Sequence, residues 1–165
     1  MRTSEDPARR LVYLQKGQAY FKVAKDSRRP FIVTAGDRTI TALGTAFDVR
    51  MERGVFKVTL VEGKVRVAST TSNDGRAEVR RVPGEVQATE MTAGSQLVAL
   101  DDAEWRLTRT NAVLETSWTQ GQLIFDDVPL GEVVTELNRY SSTKIVLADA
   151  GLEVVPISGN FKPGD

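Results

Sequence analysis

The sequence predicts a mainly β protein: an antiparallel all-β domain, sandwich or jelly-roll-like, with a β-solenoid as the alternative, followed by a small α+β unit. Three observations carry this. From residue 11 to about residue 100 the apolar residues recur with period two, as in half-buried strands. Gly-centred turns separate these runs at close spacing, the pattern of sandwiches and related all-β folds. After residue 120 the period changes to that of an amphipathic helix between two apolar runs. The expected division is 1–108 for the β domain, 109–117 for a linker and 118–165 for the α+β unit.

Taken in order, the first clear strand is 18-QAYFKV-23, where Ala19, Phe21 and Val23 alternate with Gln18, Tyr20 and Lys22. Gly36-Asp37 turns 31-FIVTA-35 back on 38-RTITAL-43, and Gly54 does the same between 46-AFDVRM-51 and 55-VFKVTL-60. The run 55-VFKVTLVEGKVRVAS-69 predicts a further hairpin, strand, tight Gly turn at Glu62-Gly63, and strand. Asn73-Asp74-Gly75, Pro83-Gly84 and Ala93-Gly94 punctuate the segments that follow, 77-AEVRRV-82, 85-EVQATEM-91 and 95-SQLVAL-100. In 44-GTAFDV-49, Phe47 and Val49 point to the core and Asp48 away from it, and the Thr45 hydroxyl is expected to support the turn. Phe31, Phe47 and Phe56 are core candidates. A loose echo links Leu14 to Ala19, Leu60 to Val65 and Met91 to Leu97, each around a Gly (Gly17, Gly63, Gly94). Its spacing is irregular, so it is read as hairpins reusing a residue that tolerates φ > 0.

Residues 101–117 keep no sustained period and read as a linker with room for a helical turn. Then 121-GQLIFDDVPLGEVVTELNRYSSTKIVL-147 has a β-α-β pattern. Leu123 and Phe125 alternate in a strand. Asp126-Asp127 and Pro129 look like helix-start chemistry. Leu130, Val133, Val134, Leu137 and Tyr140 form one apolar stripe. A strand is expected at 144-KIVLA-148 and another over 154-VVPISGNF-161, with Pro156 suggesting a sheet edge.

Composition limits the chemistry. The 165 residues contain no Cys and no His, which removes thiolate nucleophiles, zinc–thiolate sites and the commonest general base and metal ligand. Lys+Arg and Asp+Glu are both 22, so the chain lacks the basic excess of a nucleic-acid binder. Arg9-Arg10, Arg28-Arg29 and Arg80-Arg81 read as solvated faces. No apolar run has the length of a membrane span, and 1-MRTSEDPARR-10 lacks the apolar core of a secretory signal. No phosphate-binding Gly loop occurs. Ser141 and Ser142 with Lys144 read as a helix end rather than a catalytic dyad. Asp101-Asp102 and Asp126-Asp127 lack the geometry of a hydrolytic carboxylate pair, since neighbours in a strand point opposite ways. Trp105 and Trp118 read as packing residues, with ligand stacking the alternative. The residues thus predict no catalytic, cofactor or metal site and a non-enzymatic protein.

The runs 17-GQAYFKV-23, 30-PFIVTAGDRTITALGTAFDVR-50, 58-VTLVEGKVRV-67 and 91-MTAGSQLVAL-100, in this order and with these turns, resemble the periplasmic β domain of FecR-type anti-sigma regulators. The segment 118-WTQGQLIFDDVPLGEVVTELNRYSSTKIVL-147 is similar to the secretin/TonB short N-terminal (STN) domain that follows it in that family. The resemblance implies the periplasmic signal-receiving region of a single-pass inner-membrane regulator. Its partners would be the N-terminal signalling domain of a TonB-dependent outer-membrane transducer, typically for iron or siderophore uptake, and, through a cytoplasmic domain outside this chain, an extracytoplasmic-function sigma factor. The family pattern has further β structure ahead of Leu11 and a further helix and strand beyond 159-GNFKPGD-165, so both ends read as truncated. An unpaired strand edge is a template for a partner's strand. The partner-binding candidates are therefore Gln122 and Ile124, Lys144 and Val146, and Val155 and Ile157. The alternative function is a carbohydrate- or cell-envelope-binding β module acting through an exposed Trp105 or Trp118.

Overall fold

The computed structural model describes residues 2–6, 9–52, 54–69, 88–100 and 105–162. The chain divides into two compact units, Met1–Ala112 and Val113–Asp165. The predicted turns at Asn73-Asp74-Gly75 and Pro83-Gly84, the segment 77-AEVRRV-82, the first three residues of 85-EVQATEM-91, Arg80-Arg81 and Asp101-Asp102 lie outside the described residues.

The first unit is a β-sandwich. Its strands are β1 (Arg2–Asp6), β2 (Arg9–Tyr13), β3 (Gly17–Lys22), β4 (Phe31–Ala35), β5 (Arg38–Ala42), β6 (Ala46–Glu52), β7 (Val55–Glu62), β8 (Lys64–Ser69), β9 (Ala88–Thr92), β10 (Ser95–Leu100) and β11 (Arg106–Arg109). One sheet has the order β1-β2-β4-β5-β8-β9 and the other β11-β10-β7-β6-β3. The pairing is antiparallel except between β2 and β4, which run parallel with Arg10 opposite Phe31. Alternate residues of both sheets meet in one core: Val33, Ile40, Val65, Val67 and Met91 from the first, Phe47, Val49, Phe56, Val58, Leu60 and Leu97 from the second. The solenoid alternative is excluded by this two-sheet arrangement. Three strands were not expected: β2, like β1, lies ahead of 18-QAYFKV-23. β1 precedes the first predicted strand, and β11 occupies part of the predicted non-periodic stretch, with every residue exposed, so it carries no burial period to detect.

The stretch around Phe47 behaves largely as the alternation implies. Phe47 and Val49 are fully buried in the core. Asp48 faces the other way, yet it is also buried, and the Gln18 Nε2–H donates to its Oδ2 at 2.9 Å. The Thr45 expectation fails: its Oγ1 is buried without a hydrogen-bond partner, and it is its carbonyl that ties the corner, accepting from Val23 N–H at 2.8 Å.

The predicted hairpin across Glu62-Gly63 is also corrected. β7 and β8 do not pair; they belong to opposite sheets, and Gly63 is the corner between them. The same holds for the other two glycines of the echo. Gly17 leads from β2 in one sheet to β3 in the other, and Gly94 from β9 to β10. All three have positive φ, +97° at Gly17, +85° at Gly63 and +76° at Gly94. The echo therefore marks sheet-to-sheet crossings. The conformational reason is the one expected of glycine, but the partners of the joined strands differ.

In the second unit, β12 (Leu123–Pro129) and β13 (Pro156–Phe161) form an antiparallel two-stranded sheet, and α2 (Leu130–Tyr140) follows β12 directly. A short helix, α1 (Ala112–Glu115), and a 3-10 turn at Ser117–Gln120 precede them. The helix keeps its predicted stripe: Val133 is buried and Leu130, Val134, Leu137 and Tyr140 are half-buried. Its start is different. Asp126 and Asp127 lie within β12, at a bulge between Phe125 and Val128 where Asp127 takes φ +54° and donates its N–H to Ser158 Oγ at 2.9 Å. The helix N-terminus is satisfied by backbone from the segment before β13: Leu130 N–H donates to Val155 O at 2.8 Å and Gly131 N–H to Glu153 O at 3.0 Å.

Candidate functional site

The sequence places the expected partner contact on strand edges of the second unit, around β12 and β13. β12 has β13 on one side. On its other side Ile124 N–H donates to Ser117 Oγ, and Gln122 N–H to Ser117 O, both at 3.3 Å, so the 3-10 turn closes the start of that edge. Antiparallel pairing turns alternate backbone groups away from the partner. Ile124 is turned outward in this way, and its register partner Asn160 on β13 is therefore outward too. Among the described residues β13 pairs only with β12, and Pro156, Ser158 and Asn160 along it are exposed. Ile157 is half-buried opposite Val128, and Val155, just ahead of the strand, is 39% exposed.

Lys144 and Val146 are not on a strand. The predicted strand 144-KIVLA-148 does not form, because its backbone is used elsewhere. Asn138 on α2 grips Ile145 from both sides: its Nδ2–H donates to Ile145 O and its Oδ1 accepts Ile145 N–H, each at 2.8 Å. Lys144 Nζ donates to Ser141 O at 2.7 Å and also to Asn138 O, capping the helix end with a cation as the helix dipole favours. The segment is thus pinned to the helix as an ordered connection. Replacing Asn138 with Ala is expected to remove both bonds, destabilise this connection by about 1–3 kcal/mol and raise amide exchange at Ile145. Unchanged exchange there would contradict the assigned role.

This connection holds much of the exposed apolar surface. Ile145 (44%), Val146 (83%), Leu152 (42%), Val154 (77%) and Val155 (39%) all lie exposed within it. Sequence reasoning held Ile145 and Val154 only as members of expected strands and missed Leu152, because it looked for alternation in strands. The available signal was an apolar run, 144-KIVLADAGLEVV-155, with too few polar positions for a solvated loop. The second unit is also acidic: Val113–Asp165 carries three Lys and Arg against eight Asp and Glu, and Met1–Ala112 carries 19 against 14. The neutral total conceals this asymmetry. Exposed Glu132, Asp149 and Glu153 contribute to it.

The two tryptophans offer no open platform. Trp105 packs against the core of the first unit, and Trp118 is half-buried in the 3-10 turn with its Nε1 covered. Among the described residues no group of three or more His, Cys, Asp or Glu is placed to hold a metal ion, and no helix is long and apolar enough to cross a membrane.

Residues 1–66 match the family described as FecR protein. Two solved structures resemble the whole chain. Both are crystal structures of candidate anti-sigma factors from Parabacteroides distasonis ATCC 8503. The first, at 1.65 Å resolution, shares 24% identity with a TM-score of 0.73 and covers 98% of this chain and 70% of its own. The second, at 2.50 Å, shares 25% identity with a TM-score of 0.70 and covers 96% of this chain and 68% of its own. No curated protein sequence gives a significant match.

Proposed function

We propose that this chain, whose residues 1–66 match the FecR protein family, is the periplasmic signal-receiving region of a single-pass inner-membrane anti-sigma regulator. In this reading the second unit, an STN-like module, receives the N-terminal signalling domain of a TonB-dependent outer-membrane transducer, in iron or siderophore uptake. The signal passes to an extracytoplasmic-function sigma factor through a cytoplasmic domain outside this chain. The protein works by binding, not catalysis.

The observation that carries the reading is the combination, in one unit, of an outward strand edge at Asn160 and the exposed apolar connection 145–155. An added strand on β13 gains backbone hydrogen bonds, and the apolar side chains beside it supply buried area and specificity. The excess of carboxylates in this unit favours a basic partner surface and speeds encounter at low salt. The anti-sigma description of the structural neighbours, whose likeness extends through this unit, supports the same role.

The test is a reporter of sigma-factor activity in cells carrying the intact regulator. Val146→Asp with Val154→Asp, both at exposed positions, is expected to reduce receptor-dependent induction by at least about tenfold, the loss of roughly 1.4 kcal/mol or more of contact. Full induction by a normally abundant variant protein would remove this surface from the mechanism.

A further inference from the structure

Arg9-Arg10 and the 22–29 basic residues are distant in sequence, but the parallel pairing of β2 with β4 brings them to one end of the sandwich. Arg10 shapes the turn that joins β3 to β4. Its Nε–H and Nη2–H donate to Arg29 O at 3.1 and 2.9 Å, its Nη1–H to Ala24 O at 3.3 Å, and its backbone N–H to Pro30 O at 3.0 Å. Asp26 braces the turn. Its Oδ2 accepts Arg29 Nε–H at 2.9 Å, and its Oδ1 accepts the N–H groups of Arg28 and Arg29 at 3.1 and 3.2 Å. The Arg29 side-chain bond, with the two backbone bonds, holds the Asp26 carboxyl below the ordinary aspartate range.

Arg10, Arg29 and Asp26 are thus engaged in building the turn, and what they build presents Lys22, Lys25 and Arg28. These three are exposed, and none has an ion-pair partner among the described residues. Lys64, the first residue of β8, is exposed at the same end, since β5 ends with Ala42 opposite Val65. Leu43 follows Ala42 directly, just past the end of β5, and is 49% exposed. Leu43 is held against the basic turn: its carbonyl accepts Asp26 N–H at 3.1 Å, and a Cβ on the next residue, Gly44, would stand 2.8 Å from Lys25 Cα. Among the described residues, the acidic ones at this end besides Asp26 are Glu62, at the end of β7, and Glu5 and Asp6, which β1 places opposite Arg10 and Arg9. No described carboxylate pairs with Lys22, Lys25, Arg28 or Lys64.

A protein partner of comparable affinity uses an apolar patch of several residues at the centre of its contact. Among the described residues this end offers one exposed large apolar side chain, Leu43, at the same end of the sandwich as these exposed cations. That is the chemistry of the lipid–water interface, where basic side chains meet headgroup phosphates and a short apolar group enters the acyl boundary. We propose that this end of the first unit rests on an anionic phospholipid surface, with Lys22, Lys25, Arg28 and Lys64 on the phosphates and Leu43 as the apolar anchor. The inference rests on the regulator reading only for a bilayer being close by. Receptor binding and lipid binding are separate measurements, and either can fail alone.

The test is co-sedimentation of the full chain with vesicles of phosphatidylglycerol and phosphatidylcholine, and with vesicles of phosphatidylcholine alone. Binding is expected to the first and not the second. It should weaken at least about tenfold as salt rises from about 0.1 M to about 0.5 M. Lys25→Glu with Arg28→Glu and Lys64→Glu should lose at least about tenfold as well. Leu43→Ser should weaken binding with the salt dependence kept, and it decides the matter if the triple variant misfolds. Equal binding to both vesicles, binding to neither, or undiminished binding by Leu43→Ser would overturn the proposal. So would equally tight binding to poly-glutamate, which would assign the surface to an acidic protein.

Discussion

Replacing Phe47 with Ala is expected to lower the unfolding free energy of the first unit by about 4 kcal/mol. The reason is position. Phe47 has no exposed surface, and its ring centroid lies 5.3 Å from that of Phe21, which in turn lies 5.5 Å from Phe31. It sits on β6 between β3 and β7, opposite Phe21 on one side and Leu60 on the other. Removing the ring leaves a cavity bounded by paired backbone on both flanks, which cannot collapse to fill it. A domain of ordinary stability has roughly 5–15 kcal/mol in total, so most of the margin would go. Denaturant unfolding monitored by tryptophan fluorescence measures it: the midpoint should fall with the slope unchanged. A loss under about 1 kcal/mol would mean that Phe47 does not occupy the centre of this core.

The second large effect is expected at Gly63, and Gly17 supplies its control. Both have positive φ, where an L-residue is strained, so Ala at either position costs about 1 kcal/mol or somewhat more from conformation alone. A Cβ at Gly17 would meet nothing within 4 Å. At Gly63 it would stand 2.8 Å from Thr45 Cγ2 and 3.0 Å from the carbonyl oxygen of Gly44. Relieving that requires the corner after β5 to move, and overpacking of this kind costs a further 1–3 kcal/mol, typically. Gly63→Ala is therefore expected to destabilise by about 3 kcal/mol and Gly17→Ala by about 1 kcal/mol. Equal losses in paired melts would remove the close approach from the explanation and leave only backbone conformation.

Gly63 also shows where sequence reading stopped. Alternation located β3 to β7 well, because each of these strands buries one face and the period of two survives in the residue types. It did not assign strands to sheets. A positive-φ glycine between two alternating runs serves a hairpin and a sandwich corner equally, and what distinguishes them at Gly63 is the nearness of Gly44 and Thr45, a tertiary fact. The basic end was illegible for a similar reason: Arg10 reaches Ala24 and Arg29 only through the parallel pairing of β2 and β4. In the second unit, local propensity for a strand at 144–148 lost to one side chain, Asn138, which takes both backbone groups of Ile145. Asp126 and Asp127 carried the chemistry of a helix start but serve a bulge, because the helix N-terminus was already supplied with acceptors by Glu153 and Val155. Of the six partner-binding residues inferred from sequence, Ile157 lies in β13, Gln122 and Val155 border strands, Ile124 is covered at its N–H by Ser117, and Lys144 and Val146 lie on the connection.

The most direct test of the proposed signal-receiving role is a binding isotherm between the folded chain and the isolated signalling domain of a TonB-dependent receptor. The account predicts saturable one-to-one binding that weakens as salt rises, and that weakens at least about tenfold with Val146→Asp and Val154→Asp. No detectable binding by the folded chain, or binding that both substitutions leave unchanged, would contradict it.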